Sequence, residues 1–271
     1  MKITDLFPSD LFAGRPVFVT GGGSGINLGI ARTFAALGAD VGICGRRTEV
    51  LAAAAEELGA FGHGVHTAVA DVRDPEALQA ALDGTAEKFG PIATLVCGAA
   101  GNFIARAENL SPNGFRTVVD IDLMGTFNAT RAAFAQLKQT RGSLLYISAS
   151  QADQAFAFQA HVGAAKAGID ALMRNLALEW GSYGIRCNAI APGPIEGTEG
   201  MKRLGEVAGE DAWLSMVPLG RYGRTEEVGA MAAFLASPLA EYVTGARITV
   251  DGGQNLTGST AFNAAAAGAL S

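Results

Sequence analysis

The chain has 271 residues, of which 49% are hydrophobic, 17% are charged and 36 are glycine, with a formal net charge of −6. This composition excludes a disordered chain, which would be poorer in apolar residues and richer in charge, and a collagen-like one, which would need glycine at every third position. The acidic balance and scattered Lys and Arg argue against nucleic acid, whose phosphates need clustered cations.

Short apolar runs alternate with long Ala/Leu-rich stretches. Val17–Thr20 reads as a first strand, ending in Gly21-Gly22-Gly23, with a helix from Gly25 to Leu37 stopped by Gly38. Val41–Cys44 is predicted as the second strand and Glu49–Leu58 as the second helix. Val65–Ala70 is the third strand, and Pro75 suits the first turn of a helix running to Phe89. Ala93–Cys97 is the fourth strand, followed by one long helix from about Asn113 to Lys138. Ser143–Ser148 is the fifth strand and Gln159–Trp180 another long helix. Ile185–Ala191 is the sixth strand, a polar glycine-bearing stretch runs from Gly193 to Gly223, Glu226–Ala236 is helical, and Ala246–Val250 is the last strand.

This alternation predicts an α/β doubly wound Rossmann fold, a seven-stranded parallel sheet with helices on both faces. The strands are continuous apolar runs, as burial on both faces requires. No linker or repeat divides residues 1–271, so a single domain is expected, with a lid segment at about 194–223. Cys44, Cys97 and Cys187 are odd in number and far apart, which reads as inert thiols in a reducing, cytoplasmic compartment. His63, His66 and His161 have no carboxylate or thiol at ligand spacing, so no metal is expected. No signal peptide, SKL-type address or apolar run of roughly 20 residues is visible, so no membrane partner is expected either.

The turn Thr20–Asn27 lies where a phosphate-binding loop belongs, between the first strand and the first helix. Gly21, Gly23 and Gly25 let the backbone approach a pyrophosphate. Ser24, Ile26 and Asn27 open a helix whose free N–H groups favour anions. An acidic residue at the end of the second strand would select NAD. Here Gly45 is followed by Arg46 and Arg47, two guanidiniums suited to a 2′-phosphate, so NADP(H) is the expected cofactor.

With these stretches in hand, the chain resembles the short-chain dehydrogenase/reductase family over nearly its whole length. The resemblance is carried by TGGGSGI, Asp71-Val72, Ala99-Ala100-Gly101, Ala191-Pro192-Gly193-Pro194-Ile195 and Asp251-Gly252-Gly253. It implies that Asp71 and Val72 hold the adenine and that Ala99, Ala100 and Gly101 lie along the cofactor. Pro192 and Gly193 would border the nicotinamide, with Ile195 and Thr198 on its carboxamide. The 2,4-dienoyl-CoA reductase branch, particularly its peroxisomal type, is closer still, through AAGNF, DIDLMGTFN, HVGAAKAGIDALMRNLALEWG and PGPIEGTEGMKRLG.

The departures from the wider family carry the chemistry. Lys166 is present, but Val162 stands where the family has its catalytic Tyr, and Ala149 where it has its Ser; Asp122 replaces the usual Asn. An isolated ketone needs a close acid for its alkoxide, and valine cannot supply one. A conjugated thioester spreads its charge onto a distant oxygen and can take its proton from a positioned water. Lys166 would bind the nicotinamide ribose and favour the developing negative charge, and Asp122 with Lys166 would hold that water. Ser148 and Ser150 flank the lost Ser. His161, five residues before Lys166, is rotated off its face and is a lesser candidate for proton transfer. Tyr146 reads as core, and Asp251, at the end of the last strand, as a residue expected to reach a neighbouring subunit's site. Asn102 and Phe103 are expected to line the substrate cleft, and Glu199–Met216 the lid, where Lys202 and Arg203 could meet CoA phosphates.

The expected activity is therefore NADPH-dependent reduction of a dienoyl or enoyl thioester. The alternatives are a carbonyl reductase or alcohol dehydrogenase, and a non-catalytic NADP-binding protein. The low charge fraction, against roughly 25% in average proteins, suggests buried surface. The family resemblance places Asn113–Lys138 and Gln159–Trp180 in the contacts of a homotetramer, and the uncharged Thr260–Ser271 stretch would pack on a neighbour.

Overall fold

The structure is a computed structural model that describes residues 3–199, 201–202, 210–259 and 263. Seven parallel strands form one sheet: β1 (Val17–Thr20), β2 (Val41–Gly45), β3 (Val65–Val69), β4 (Thr94–Cys97), β5 (Ser143–Ile147), β6 (Arg186–Pro192) and β7 (Arg247–Val250). Their spatial order is β3-β2-β1-β4-β5-β6-β7. The chain winds outward from β1 through β3, then returns to place β4 against β1, with Val17 beside Thr94 and Thr20 beside Cys97. The order reverses between β1 and β4, and ligands of such sheets bind outside the strand ends at that point.

Residues alternate between the faces along each strand. Val17, Val19, Val41 and Ile43 pack against Ile30, Phe34, Leu51 and Leu58 of α1 (Gly25–Ala36) and α2 (Thr48–Gly59), and against α8 (Thr225–Ala236). Phe18, Leu95 and Tyr146 face the other way, toward α3 (Pro75–Phe89), α5 (Gly125–Thr140) and α6 (Ala160–Trp180). The predicted continuous burial holds for β1, β4 and β5 and fails at the edges. Val69 of β3 is 61% exposed, because an edge strand has no neighbour on one side, and β7 is half-buried throughout.

Two sequence expectations need correction. The helix predicted from Asn113 to Lys138 is α4 (Pro112–Val119), one π-helical turn (Asp120–Met124) and then α5. The polar stretch from Gly193 to Gly223 contains α7 (Glu210–Ser215). Arg203 and most of Thr260–Ser271 lie outside the described residues, as do 200 and 204–209 of the lid. The three cysteines are free and buried, and burial pushes each thiol up to about 12.

Candidate active site

The site lies at the carboxyl ends of β1, β4, β5 and β6. Thr20, the last residue of β1, stitches two of them together: its hydroxyl accepts from Gly98 N–H at 3.1 Å and Ala99 N–H at 3.3 Å. Asn27 braces the same seam from α1, donating to the Gly98 carbonyl at 2.8 Å. Asn27 thus ties the glycine turn to the β4 end, a role its place at the start of the helix does not reveal.

The turn itself fits a pyrophosphate. Gly21 (φ +67°) and Gly25 (φ +58°) take backbone conformations that side chains rarely allow, and a Cβ on Gly25 would meet only Thr198, 3.8 Å away. Ser24 is the N-cap of α1 but makes no side-chain cap bond. The first-turn N–H groups are therefore not taken up by that side chain, and they carry the positive end of the helix dipole. Thr198, held by its hydroxyl on the Ile195 carbonyl at 2.9 Å, closes over this turn from the β6 side. Gly193 approaches Asp251 so closely that a Cβ would sit 2.6 Å from that residue's own.

Arg46 and Arg47 are exposed at the end of β2, before α2. Asp71 lies nearby with its carboxylate paired to Arg73 at 2.6 Å, and that bond, reinforced by the charge of Arg46, lowers it to about 2. Arg46 and Arg73 thus share one rim with an already neutralised Asp71, a setting that favours an anionic group. Val72 is buried, and its carbonyl accepts from Asn128 at 3.0 Å.

Asp122 and Lys166 meet in the interior. The π-helical turn between α4 and α5 carries Asp122, and such turns often re-aim a side chain at functional sites. Its Oδ1 accepts from Gly101 N–H at 2.7 Å, and its Oδ2 stands 3.4 Å from Lys166 Nζ. Lys166 also donates to the Ile147 carbonyl at 3.0 Å. Asp122 is 0% exposed and Lys166 6%. Burial raises the Asp122 carboxyl, while Lys166 and the Gly101 N–H pull it back. Val162, one turn before Lys166, is buried against Val118 and Ala165.

The remaining candidates divide. His161 is fully buried, its ring tilted at 55° to that of Phe103 with 4.3 Å between ring centres, and among the described residues neither ring nitrogen has a side-chain hydrogen-bond partner. Burial lowers its pKa, with the Phe103 backbone and the Asp122 charge acting the other way. Its imidazole therefore favours the neutral form near pH 7. Ser148 and Ser150 are buried, and among the described residues neither hydroxyl is hydrogen-bonded to Asp122 or Lys166. Ser150 opens the 3-10 turn Ser150–Ala152. Asn102 accepts from Gln159 at 3.4 Å, and Phe103 follows it with its ring against His161. The two oxygens of Asp251 accept from Gly253 and Asn255 N–H, both at 2.8 Å, so it caps its own turn.

Fold and site together define a dinucleotide-binding α/β domain with a buried carboxylate–lysine pair beside its switch point. A sequence profile described as enoyl-(acyl carrier protein) reductase matches residues 21–255. A peroxisomal 2,4-dienoyl-CoA reductase of Saccharomyces cerevisiae, described as (3E)-enoyl-CoA-producing, is 44% identical over 90% of this chain and 85% of its own. A probable 2,4-dienoyl-CoA reductase of Bacillus subtilis, described as (2E)-enoyl-CoA-producing, is 43% identical over 89% and 96%. Among solved structures, a gluconate 5-dehydrogenase of Burkholderia cenocepacia in complex with NADP and tartrate superposes with a TM-score of 0.85 at 31% identity, covering 92% of this chain and 99% of that one. The chain belongs to the short-chain dehydrogenase/reductase family, and it is an oxidoreductase of that family.

Proposed function

We propose that the protein reduces 2,4-dienoyl thioesters, most simply 2,4-dienoyl-CoA, with NADPH. The observation that carries this reading is the buried Asp122–Lys166 pair, 3.4 Å apart, in a site whose tyrosine position holds Val162. A site without a phenol suits a substrate whose charge develops far from the carbon that takes the hydride. The names of the yeast and Bacillus relatives support the same substrate class.

The glycine turn, Arg46 and Thr198 would hold the cofactor, and when bound NADPH supplies a hydride for the far end of the diene. Arg46 and Arg47, with no acid beside them on the β2 end, support NADPH over NADH. The chain's own residues manage charge and proton. The Lys166 ammonium, fixed by the Ile147 carbonyl, favours the negative charge that spreads onto the thioester oxygen. Asp122 Oδ2 and Lys166 Nζ hold a water, whose proton goes to the carbon next to the thioester. The hydroxide left behind takes a proton from solvent. One double bond remains, between the two central carbons of the former diene. Neutral His161, whose ring nitrogens have no side-chain hydrogen-bond partner among the described residues, can orient the same water.

We also infer a homotetramer. Phe115 of α4, Met124 in the π turn, Phe127 of α5 and Leu178 of α6 are exposed apolar residues on the helices where the sequence suggested a subunit contact. Light scattering that returns a monomer mass overturns that part. Nicotinamide absorbance with dienoyl-CoA, and separately with a panel of ketones, tests the activity. Thioester turnover with ketones inert supports it. Ketone turnover alone, or tight NADPH binding with no turnover of either, refutes it.

A further inference from the structure

A second charge cluster, buried at Arg247 and Asp170 and exposed at Asp153, is built around β7. Ile248 and Val250 pack against the core on the α1/α8 side. Strand alternation therefore sends Arg247 and Thr249 to the α6 side. The Arg247 side chain is only 14% exposed, and all three guanidinium nitrogens are engaged. Nε lies 2.9 Å from Asp170 Oδ2, and Nη1 lies 2.6 Å from Asp153 Oδ2. Nη2 donates to the Ala149 carbonyl at 2.9 Å, and Nη1 also reaches Thr249 Oγ1 at 3.4 Å.

These partners tie three different pieces of chain. Asp170 stands one helical turn beyond Lys166 on α6 and is nearly fully buried, so its charge needs a cation. Ala149 begins, and Asp153 ends, the 3-10 turn Ser150–Ala152. A planar fork with fixed donor directions can bridge such a triangle, which a single ammonium cannot.

The pinned turn connects to the site through a chain of contacts. The Ile147 carbonyl, two residues before Ala149, anchors Lys166. Gln151, inside the turn, donates to Gln159 Oε1 at 2.8 Å, and Gln159 donates to Asn102 Oδ1 at 3.4 Å. Gly101, adjacent to Asn102, is the donor to Asp122. Phe158 is held at φ +68°, a left-handed conformation that persists only where surroundings over-determine it. Its carbonyl accepts from Ala105 N–H at 3.0 Å, and Arg106 lies over its ring at 5.8 Å. Segments 101–106 and 148–159 are thus laced to each other, and Arg247 fixes the second to the sheet and to α6.

We propose that Arg247 is a positioning residue for the thioester site: by clamping Ala149, Asp153 and Asp170 it sets the 148–159 wall against which the substrate's acyl part is held. This inference rests on the dienoyl-thioester reading above. The test compares Arg247→Met, Arg247→Lys and the double variant Arg247→Met/Asp170→Asn. The double variant removes the guanidinium and the buried carboxylate charge together, so folding does not fail on an uncompensated Asp170. The expected result is a KM for dienoyl-CoA raised on the order of tenfold, with NADPH affinity unchanged. Amide exchange should accelerate across residues 148–159, and Arg247→Lys should be intermediate. A folded double variant with wild-type KM and wild-type exchange overturns the proposal. So does an equal loss of NADPH affinity, which marks general loosening. If the wild type does not turn over dienoyl-CoA, the functional reading fails, and exchange in the NADPH complex decides this inference alone: acceleration confined to 148–159 supports it, and none overturns it.

Discussion

Replacing Asp122 with asparagine tests the core of the mechanism with the smallest change of shape. The amide oxygen can still accept from Gly101 N–H, now 2.7 Å from Oδ1, so the β4 loop keeps its anchor. What disappears is the negative charge 3.4 Å from Lys166 Nζ. At an effective dielectric near 20, opposite charges at that separation attract by about 5 kcal/mol. The variant recovers part of this, because burial already disfavours the ionised Asp122 and an amide has no such penalty. A net loss of about 2–3 kcal/mol follows, which for a domain of this size lowers Tm by roughly 4–12 °C. The effect on chemistry is larger. A positioned group that handles a proton contributes about 100-fold or more, so kcat on dienoyl-CoA should fall by at least about that factor. NADPH affinity, set at the glycine turn and the Arg46 rim, should hold. Steady-state turnover, a thermal melt and a fluorescence titration of NADPH read the three quantities separately. A folded variant that keeps roughly half of the wild-type kcat refutes the role, since it lies far outside the range for general acid–base groups.

Three further outcomes are expected. Arg46→Ala should weaken NADPH by about 1.5–3 kcal/mol, the worth of a hydrogen bond to a charged group, and leave NADH unchanged in parallel titrations; equal losses for both would show that Arg46 does not read the 2′-phosphate. Glu227 is held at about 2, chiefly by its bond from Arg221, so the folded state favours its ionised form. That stability is present above the ordinary carboxylate range and lost as pH falls toward 2. Because Arg221 is half exposed, solvent screens the pair and its contribution is small; melts of Glu227→Gln should show a slightly lower Tm near neutral pH and no difference in strong acid. A Cβ on Gly29 would stand 2.3 Å from Thr225 Cβ, where α1 crosses the start of α8. Gly29→Ala should therefore cost about 1–3 kcal/mol by overpacking, Thr225→Gly should restore part of it, and denaturant melts unchanged by either substitution would contradict the tight crossing.

The sheet was legible because its strands are short apolar runs separated by helical stretches of a length that only parallel crossovers need. Seven strands in the predicted order of appearance, the glycine turn and the Arg46 rim all follow from local pattern. Some features depend on contacts between distant residues, and no window of sequence carries them. The break at Asp120–Met124 is one, since the residues there have unremarkable helix propensity and the widening shows only when Asp122 is seen turned into the protein toward Gly101 and Lys166. The hydrogen bond from Asn27 to Gly98 spans two strands, and the turning of Asp251 onto its own loop depends on that loop's backbone.

By itself the sequence determined the winding of the chain, the place of the dinucleotide turn and the loss of the tyrosine and serine, because these depend on residue type and spacing. The tertiary structure alone decided which polar groups are buried together. It brought Asp122 to Lys166, set His161 against Phe103 without a side-chain hydrogen-bond partner among the described residues, buried Ser148, and closed Arg247 around three points of the chain. The physical reason is that burial and charge pairing are properties of neighbours in space, and these neighbours come from segments as far apart as 98 residues in the chain.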